Sequence, residues 1–265
     1  MIKVVVAGAL GRMGQESCKA VLKAEGMELV GAVDTREIGS ALGAHLGIAD
    51  LEIKVSDNLE KTLQDLKPDV LIDFTRPGVV QGNIELAIKN GVRPVVGTTG
   101  MSSEEIEKFR ELAAANQVGA LIAPNFTIGA LLMIKFAAEA AKYFPHVEII
   151  ELHHDQKMDA PSGTAIKTAE AIAAVRGNMA QGMPSEFEKI EGSRGGNYEG
   201  MRIHSVRLPG FVAHQEVILG GVGQTLTIRH DSISRESYMP GLLLAVRKVM
   251  SLNHLVYGLE NLLFE

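Results

Sequence analysis

Ile2-Lys3-Val4-Val5-Val6-Ala7-Gly8-Ala9-Leu10-Gly11-Arg12-Met13-Gly14 is a β-branched run that breaks on three spaced glycines. An unbroken apolar run of this kind is the pattern of a strand covered on both faces, as in a parallel sheet. Beyond it the residues predict a helix that carries Val21 and Leu22 and stops at Gly26, then a strand over 28–33 with Asp34 at its end. Strand, glycine turn, helix, strand and acid is the order in which a dinucleotide is held. The first glycine permits the tight turn, the second lets backbone approach the pyrophosphate, the third lets helix and strand pack closely, and the acid meets a ribose hydroxyl. The glycines alone would also suit an ordinary βα turn; the flanks on both sides carry the reading.

The alternation continues outward from that unit. Residues 35–50 read as a loop, 52–55 as a short strand, 58–66 as a helix and 70–74 as a buried strand after Pro68. Helices over 84–90 and 102–115 then alternate with strands over 94–97 and 120–123, and Ser102 with Glu105 forms a capping box. Strands alternating with helices imply a parallel sheet wound on both faces, with ligands beyond the carboxyl ends of the strands. Those ends carry Phe74-Thr75, Gly97-Thr98-Thr99-Gly100 and Ala123-Pro124-Asn125-Phe126, small and hydroxyl groups beside exposed amides.

After a helix over 128–144 the rhythm changes. A strand over 147–152, a helix over 163–175, a long surface loop over 177–200 and strands over 201–208, 214–219 and 225–229 follow. Pro209-Gly210 and Gly220-Gly221-Val222-Gly223 separate the last three and read as hairpin punctuation. The expected class is α/β: a Rossmann-type parallel-sheet domain plus a second α+β domain with a mixed or antiparallel sheet. Residues 1–126, completed by the helical and apolar segment 236–265, would bind the dinucleotide. Residues 127–235 would bind the substrate and oligomerise.

The composition excludes several classes. A 46% hydrophobic and 22% charged chain of 265 residues can bury two real cores and is not disordered. The net charge of −6, without a long basic run, argues against a nucleic-acid partner. Cys18 is the only cysteine, so an intrachain disulfide is impossible and a reducing compartment fits. No apolar run reaches the roughly 18 to 20 residues of a membrane span, and the start carries no secretion signal, so the expected location is cytoplasmic.

The chemistry concentrates in Glu151-Leu152-His153-His154-Asp155-Gln156-Lys157-Met158-Asp159-Ala160-Pro161-Ser162-Gly163-Thr164. Two imidazoles can exchange protons near neutral pH, and Lys157 supplies a fixed positive charge. Ser162 is a good N-cap, so a helix should start at Gly163 and its first amides, at Gly163 and Thr164, can grip a carboxylate. A metal site built on His153, His154 and Asp155 or Asp159 is disfavoured, because adjacent residues on a strand point to opposite faces. A dinucleotide-sensing regulator would need a basic or helix-turn-helix segment, and none is present. Another two-domain dehydrogenase would leave the 151–164 motif unexplained.

Taken with Gly8 to Gly14, Gly97 to Gly100 and Ala123 to Phe126, this motif resembles the dihydrodipicolinate reductase family over essentially the whole chain. The resemblance implies a reductase of lysine and diaminopimelate biosynthesis that uses NADH or NADPH on a cyclic dicarboxylate, assembled as a homotetramer through the sheet domain. It also implies that His153 donates or accepts the proton and that Lys157 is the second proton donor. His154, Lys157, Gly163 and Thr164 would bind the substrate carboxylates. The cofactor positions implied are Gly8, Ala9, Leu10, Gly11, Arg12, Met13, Asp34, Gly97, Thr98, Thr99, Ala123, Pro124, Asn125 and Phe126. Many members place an arginine for the 2′-phosphate directly after the acid. Here Thr35 stands there and Arg36 comes one residue late, which predicts dual cofactor use or a modest NADH preference.

Overall fold

The computed structural model describes residues 1–177 and 179–264, so Asn178 in the 177–200 stretch and Glu265 at the end of the returning segment lie outside it. The chain forms two compact units, Met1–Thr127 with Tyr238–Glu265, and Ile128–Ser237.

The first unit opens with β1 (Ile2–Ala7), α1 (Arg12–Lys23), β2 (Met27–Val33), a short α2 (Leu42–Leu46), β3 (Val55–Ser56) and α3 (Leu59–Leu66). It continues through β4 (Val70–Asp73), α4 (Val80–Lys89), β5 (Arg93–Val96), α5 (Ser103–Asn116) and β6 (Ala120–Ile122). The second unit holds α6 (Ile128–Ala141), β7 (His146–His153), α7 (Gly163–Arg176), β8 (Gly196–Tyr198), β9 (Met201–Arg207), β10 (Ala213–Gly221) and β11 (Gln224–Ser232). The chain then returns to the first unit with α8 (Met239–Lys248), β12 (Leu255–Tyr257) and α9 (Glu260–Leu263).

Among the described residues the first unit carries a seven-stranded sheet in the order β12-β6-β5-β4-β1-β2-β3. Its named strand pairs are parallel. Val4, Val5 and Val6 are fully buried, as the unbroken β-branched run requires, because helices cover both faces. Each such side chain contributes roughly 1.5 to 3 kcal/mol of transfer free energy. The capping box at Ser102 and Glu105 is present, closing the start of α5.

Two expectations are corrected here, and the returning segment adds an element the sequence did not suggest. The 35–50 stretch is not all loop: Leu42 and Leu46 are buried on α2, and Ala41 bridges Lys54. The edge strand starts at Val55 rather than lying over 52–55. The apolar tail contributes a strand as well as a helix, with Leu255–Tyr257 pairing in parallel with β6.

The second unit has a five-stranded sheet in the order β11-β10-β7-β9-β8. Alternation along β7 puts Val147, Ile149, Glu151 and His153 on the face that packs against α6 and α7, where Ala165, Ala169 and Ile172 are also buried. Gly221 pairs with Gln224 across a tight turn, so the second glycine cluster is a hairpin. Pro209-Gly210 is not: β7 lies between β9 and β10, parallel to the first and antiparallel to the second. A long connection inserted β7 between two strands adjacent in sequence, which local turn chemistry cannot reveal. The 177–200 loop likewise contains a strand, β8, antiparallel to β9.

Candidate active site

At the start of α1 the backbone itself makes the surface. Gly8 has φ +75°, and a Cβ there would lie 2.5 Å from the carbonyl oxygen of Phe74. A Cβ on Gly14 would lie 2.0 Å from the Gly8 oxygen, so the helix can pass this close to β1 only without a side chain. Gly11 is the N-cap of α1, has no side-chain cap, and no acid occupies the first turn. The uncapped helix start is suited to an anion. A cavity of about 350 Å³ opens beside it, lined by Gly11, Arg12, Met13, Phe74, Thr75, Pro77, Gly97, Thr98 and Thr99.

Asp34 is buried at the end of β2 and accepts a hydrogen bond from the Leu10 amide at 2.9 Å and from Arg36 Nε at 3.1 Å. Burial pushes its carboxyl up, but the Arg36 guanidinium and the two backbone amides outweigh that and hold it below the ordinary value. Phe126 packs edge-on against Phe74, with ring centroids 5.9 Å apart, and Asn125 Oδ1 accepts from the Thr127 amide. Gly8, Ala9, Leu10, Asp34, Arg36 and the 123–126 segment do not line the cavity; Leu10 and Arg36 meet at Asp34, and Phe126 backs the Phe74 wall. A group with an anionic centre and flat rings fits this cradle, because the close glycine approach and open amides are what a pyrophosphate needs.

Asp73 carries a role that sequence reading missed. It is fully buried at the end of β4 and accepts from the Thr75 amide and hydroxyl, the Thr98 hydroxyl and Asn83 Nδ2 at 2.7 to 3.0 Å. One carboxylate thus ties together two of the cavity's lining loops. The signal was present, since an acid closing the apolar run Val70-Leu71-Ile72 at a strand's carboxyl end has no hydrophobic reason to be there.

In the second unit His153 ends β7 and is 14% exposed. Its Nδ1 lies 2.5 Å from Oε2 of the fully buried Glu151. Arg207 closes on the same carboxylate through both Nη atoms at 2.8 and 2.7 Å, and its Nη2 also donates to the Asp159 carbonyl at 2.7 Å. Burial would raise the Glu151 carboxyl, yet hydrogen bonds from His153, Arg207 and Ser205 bring it down to about 2. Ser162 caps α7 as its sequence predicts, accepting from the Ala165 amide, while its own amide donates to Glu151 Oε1 at 3.1 Å.

The sequence-predicted residues are thus drawn together unevenly. His153 and the cap of α7 share Glu151, and Gly163 is exposed at the helix start beside Thr164. The Lys157 amide donates to the His154 carbonyl at 3.2 Å. The Lys157 ammonium, however, is held by Asp159 at 2.7 and 2.9 Å, so an incoming carboxylate competes with that acid. Among the described residues no group of three or more His, Cys, Asp or Glu side chains is placed to hold a metal ion.

Two family models cover nearly all of this architecture. The N-terminus of dihydrodipicolinate reductase matches residues 2–126 and its C-terminus matches residues 129–263. The chain belongs to the dihydrodipicolinate reductase family. Within that family it is 57% identical to the 4-hydroxy-tetrahydrodipicolinate reductase of Desulfitobacterium hafniense (strain DSM 10664 / DCB-2) over 263 residues, covering 99% of this chain and 98% of that one. It is 56% identical to the enzyme of the same name from Geobacillus thermodenitrificans, with 99% of each chain covered. A solved dipicolinate-bound dihydrodipicolinate reductase from Paenisporosarcina sp. TG-14 superposes with a TM-score of 0.89 at 51% identity, over 98% of this chain and 99% of that chain.

Glu151 and Arg207 are the residues of this site that the sequence did not yield. Alternation along β7 could have exposed Glu151, a carboxylate at an inward position between Ile149 and His153. Arg207 gave no such signal, because 56 residues separate it from Glu151 and only the β7–β9 register brings it near.

Proposed function

We propose that this chain catalyses the NADH- or NADPH-dependent reduction of 4-hydroxy-tetrahydrodipicolinate to tetrahydrodipicolinate, in lysine and diaminopimelate biosynthesis. The observation that carries this reading is family membership along the whole chain, at 57% identity to a reductase of that name. The residues fit it. Gly8 to Met13, Asp34, Arg36, Gly97 to Thr99 and Ala123 to Phe126 hold the dinucleotide, with the uncapped start of α1 at its pyrophosphate. When bound, the dinucleotide supplies the hydride.

His153 gives the proton that matches the added electron pair, and Lys157 is the second proton donor. For the hydroxylated substrate the net balance is one hydride and one proton taken up and one water lost, because the proton given to the departing hydroxyl is offset by the ring C–H proton released in that elimination. His154, Lys157 and the amides of Gly163 and Thr164 hold the two carboxylates, since an ammonium and a helix start are both anion sites. Lys157 leaves Asp159 to do so. The active form is a cytoplasmic homotetramer built through the sheet of the second unit; among the described residues no helix is long and apolar enough to cross a membrane.

The test is an initial-rate assay that follows oxidation of reduced nicotinamide with substrate and purified protein. No oxidation with either cofactor would overturn the reading. His153→Gln should lower kcat by about 10² to 10⁴-fold while KM changes little. Unchanged turnover would remove His153 from the chemistry.

A further inference from the structure

An ion pair at an inward position of a core strand needs an explanation beyond stability. Glu151 lies on β7 between the fully buried Ile149 and the half-buried His153, with Gln215 and Ser205 as its cross-strand neighbours. Desolvating a carboxylate and a guanidinium costs more than packing apolar residues of the same volume, and buried pairs are often replaceable by such residues without loss. Glu151 nevertheless has every lone-pair direction engaged. Oε2 accepts from Arg207 Nη1 and faces His153 Nδ1; Oε1 accepts from Arg207 Nη2 and the Ser162 amide. Three parts of the motif therefore meet on one carboxylate: the imidazole, the cap of α7 and, through Arg207, the backbone at Asp159.

We propose that Glu151 and Arg207 are positioning residues for His153, the carboxylate taking the hydrogen bond of Nδ1–H so that Nε2 is the nitrogen that exchanges a proton with substrate. The role of the second nitrogen follows from the first, because a neutral imidazole carries one N–H and the partner of that N–H fixes the tautomer. The bidentate Arg207 keeps Glu151 anionic, so the carboxylate stabilises an imidazolium without becoming the proton acceptor itself. Atoms balance simply: Nε2 loses its proton to the substrate, Nδ1 keeps its own, and Glu151 and Arg207 do not change charge. Neither residue need touch substrate.

This assignment rests on His153 being the proton donor, and its test separates the two claims. ¹⁵N NMR of the unliganded, unsubstituted protein reads the His153 tautomer directly. The expected result above the imidazole titration is Nδ1–H with Nε2 bare; Nε2–H with Nδ1 bare overturns the proposal whether or not any variant folds. In Glu151→Gln the amide can turn its NH₂ toward Nδ1, so the tautomer should shift toward Nε2–H. kcat should fall by about 10² to 10⁴-fold with KM within about threefold. Arg207→Lys, which retains a cation, should keep more activity than Arg207→Met. A purely structural role predicts lowered stability with an unchanged tautomer and a kcat close to that of the unsubstituted protein, and that outcome defeats the proposal. If the unsubstituted protein fails to reduce the substrate, the functional reading fails, while the tautomer measurement still decides the role of Glu151.

Discussion

The dinucleotide cradle and the histidine cluster are built from opposite materials. Around Gly8 and Gly14 the surface is bare backbone, and closeness is possible because nothing projects; a Cβ at Gly14 would sit 2.0 Å from the Gly8 oxygen. Around Glu151 the surface is made of charged side chains held in a core otherwise lined by Ile149, Val217 and Ile172. A backbone site fails when any atom is added. A side-chain site fails when a charge is changed with its shape left intact, so the two regions should break under different perturbations.

Gly14→Ala is the strongest way to break the first region. The new methyl meets backbone atoms at 2.0 and 2.8 Å, which cannot rotate away, so α1 must shift off β1. Overpacking of this kind costs about 1 to 3 kcal/mol where side chains can yield, and contact with backbone should put the loss at or above the upper end. Urea denaturation should show it, together with loss of dinucleotide binding by fluorescence titration. A fully stable variant that still binds dinucleotide would mean that the glycine spacing is incidental.

The second region should instead respond to acid. The Glu151 carboxyl is held at about 2 against an ordinary 4.5, so it stabilises the folded state above about pH 4.5. That contribution is lost as pH falls toward 2, and the shift corresponds to roughly 3 kcal/mol. Unfolding free energies measured across this window should fall less steeply for Glu151→Gln than for the unsubstituted protein, whose other depressed carboxylates, Asp34 and Glu148 among them, remain in both. Parallel curves would show that the Glu151 cluster is not held together by charge.

The same contrast explains what could be read from the chain before its structure. Backbone devices leave local marks: the unbroken Ile2–Ala7 run, the three glycines and the Ser102–Glu105 capping box were each legible within a few residues. So were Ser162 and the start of α7. Side-chain assemblies join distant segments, so Arg207 and Gln215 came beside Glu151 only through the insertion of β7 between β9 and β10. The same insertion turned an expected Pro209-Gly210 hairpin into a short connection, residues 208–212, between strands that both pair with β7. Asp73 lay between these cases, since its placement at the end of a buried strand was visible but its four donors were not.

Arg36 gives the smallest effect and the finest test, because it belongs to the backbone-built region yet acts by charge. It is mostly exposed and spends its guanidinium on Asp34, an anion that suits a ribose hydroxyl and repels a 2′-phosphate. With Thr35 directly after the acid, the unsubstituted protein should show similar KM values for NADH and NADPH or a modest NADH preference. A preference for NADPH above about a hundredfold would sink that expectation. In Arg36→Ala the 2′-phosphate loses a nearby cation while Asp34 loses the group that offsets its charge, so both changes weaken NADPH in the same direction. Exposed ion pairs are weak, so the KM for NADPH should rise on the order of fivefold. The KM for NADH should stay within about twofold, since Asp34 is then free to accept the ribose hydroxyl. Equal rises for both cofactors would place Arg36 in the architecture of the β2 end rather than in the choice between them.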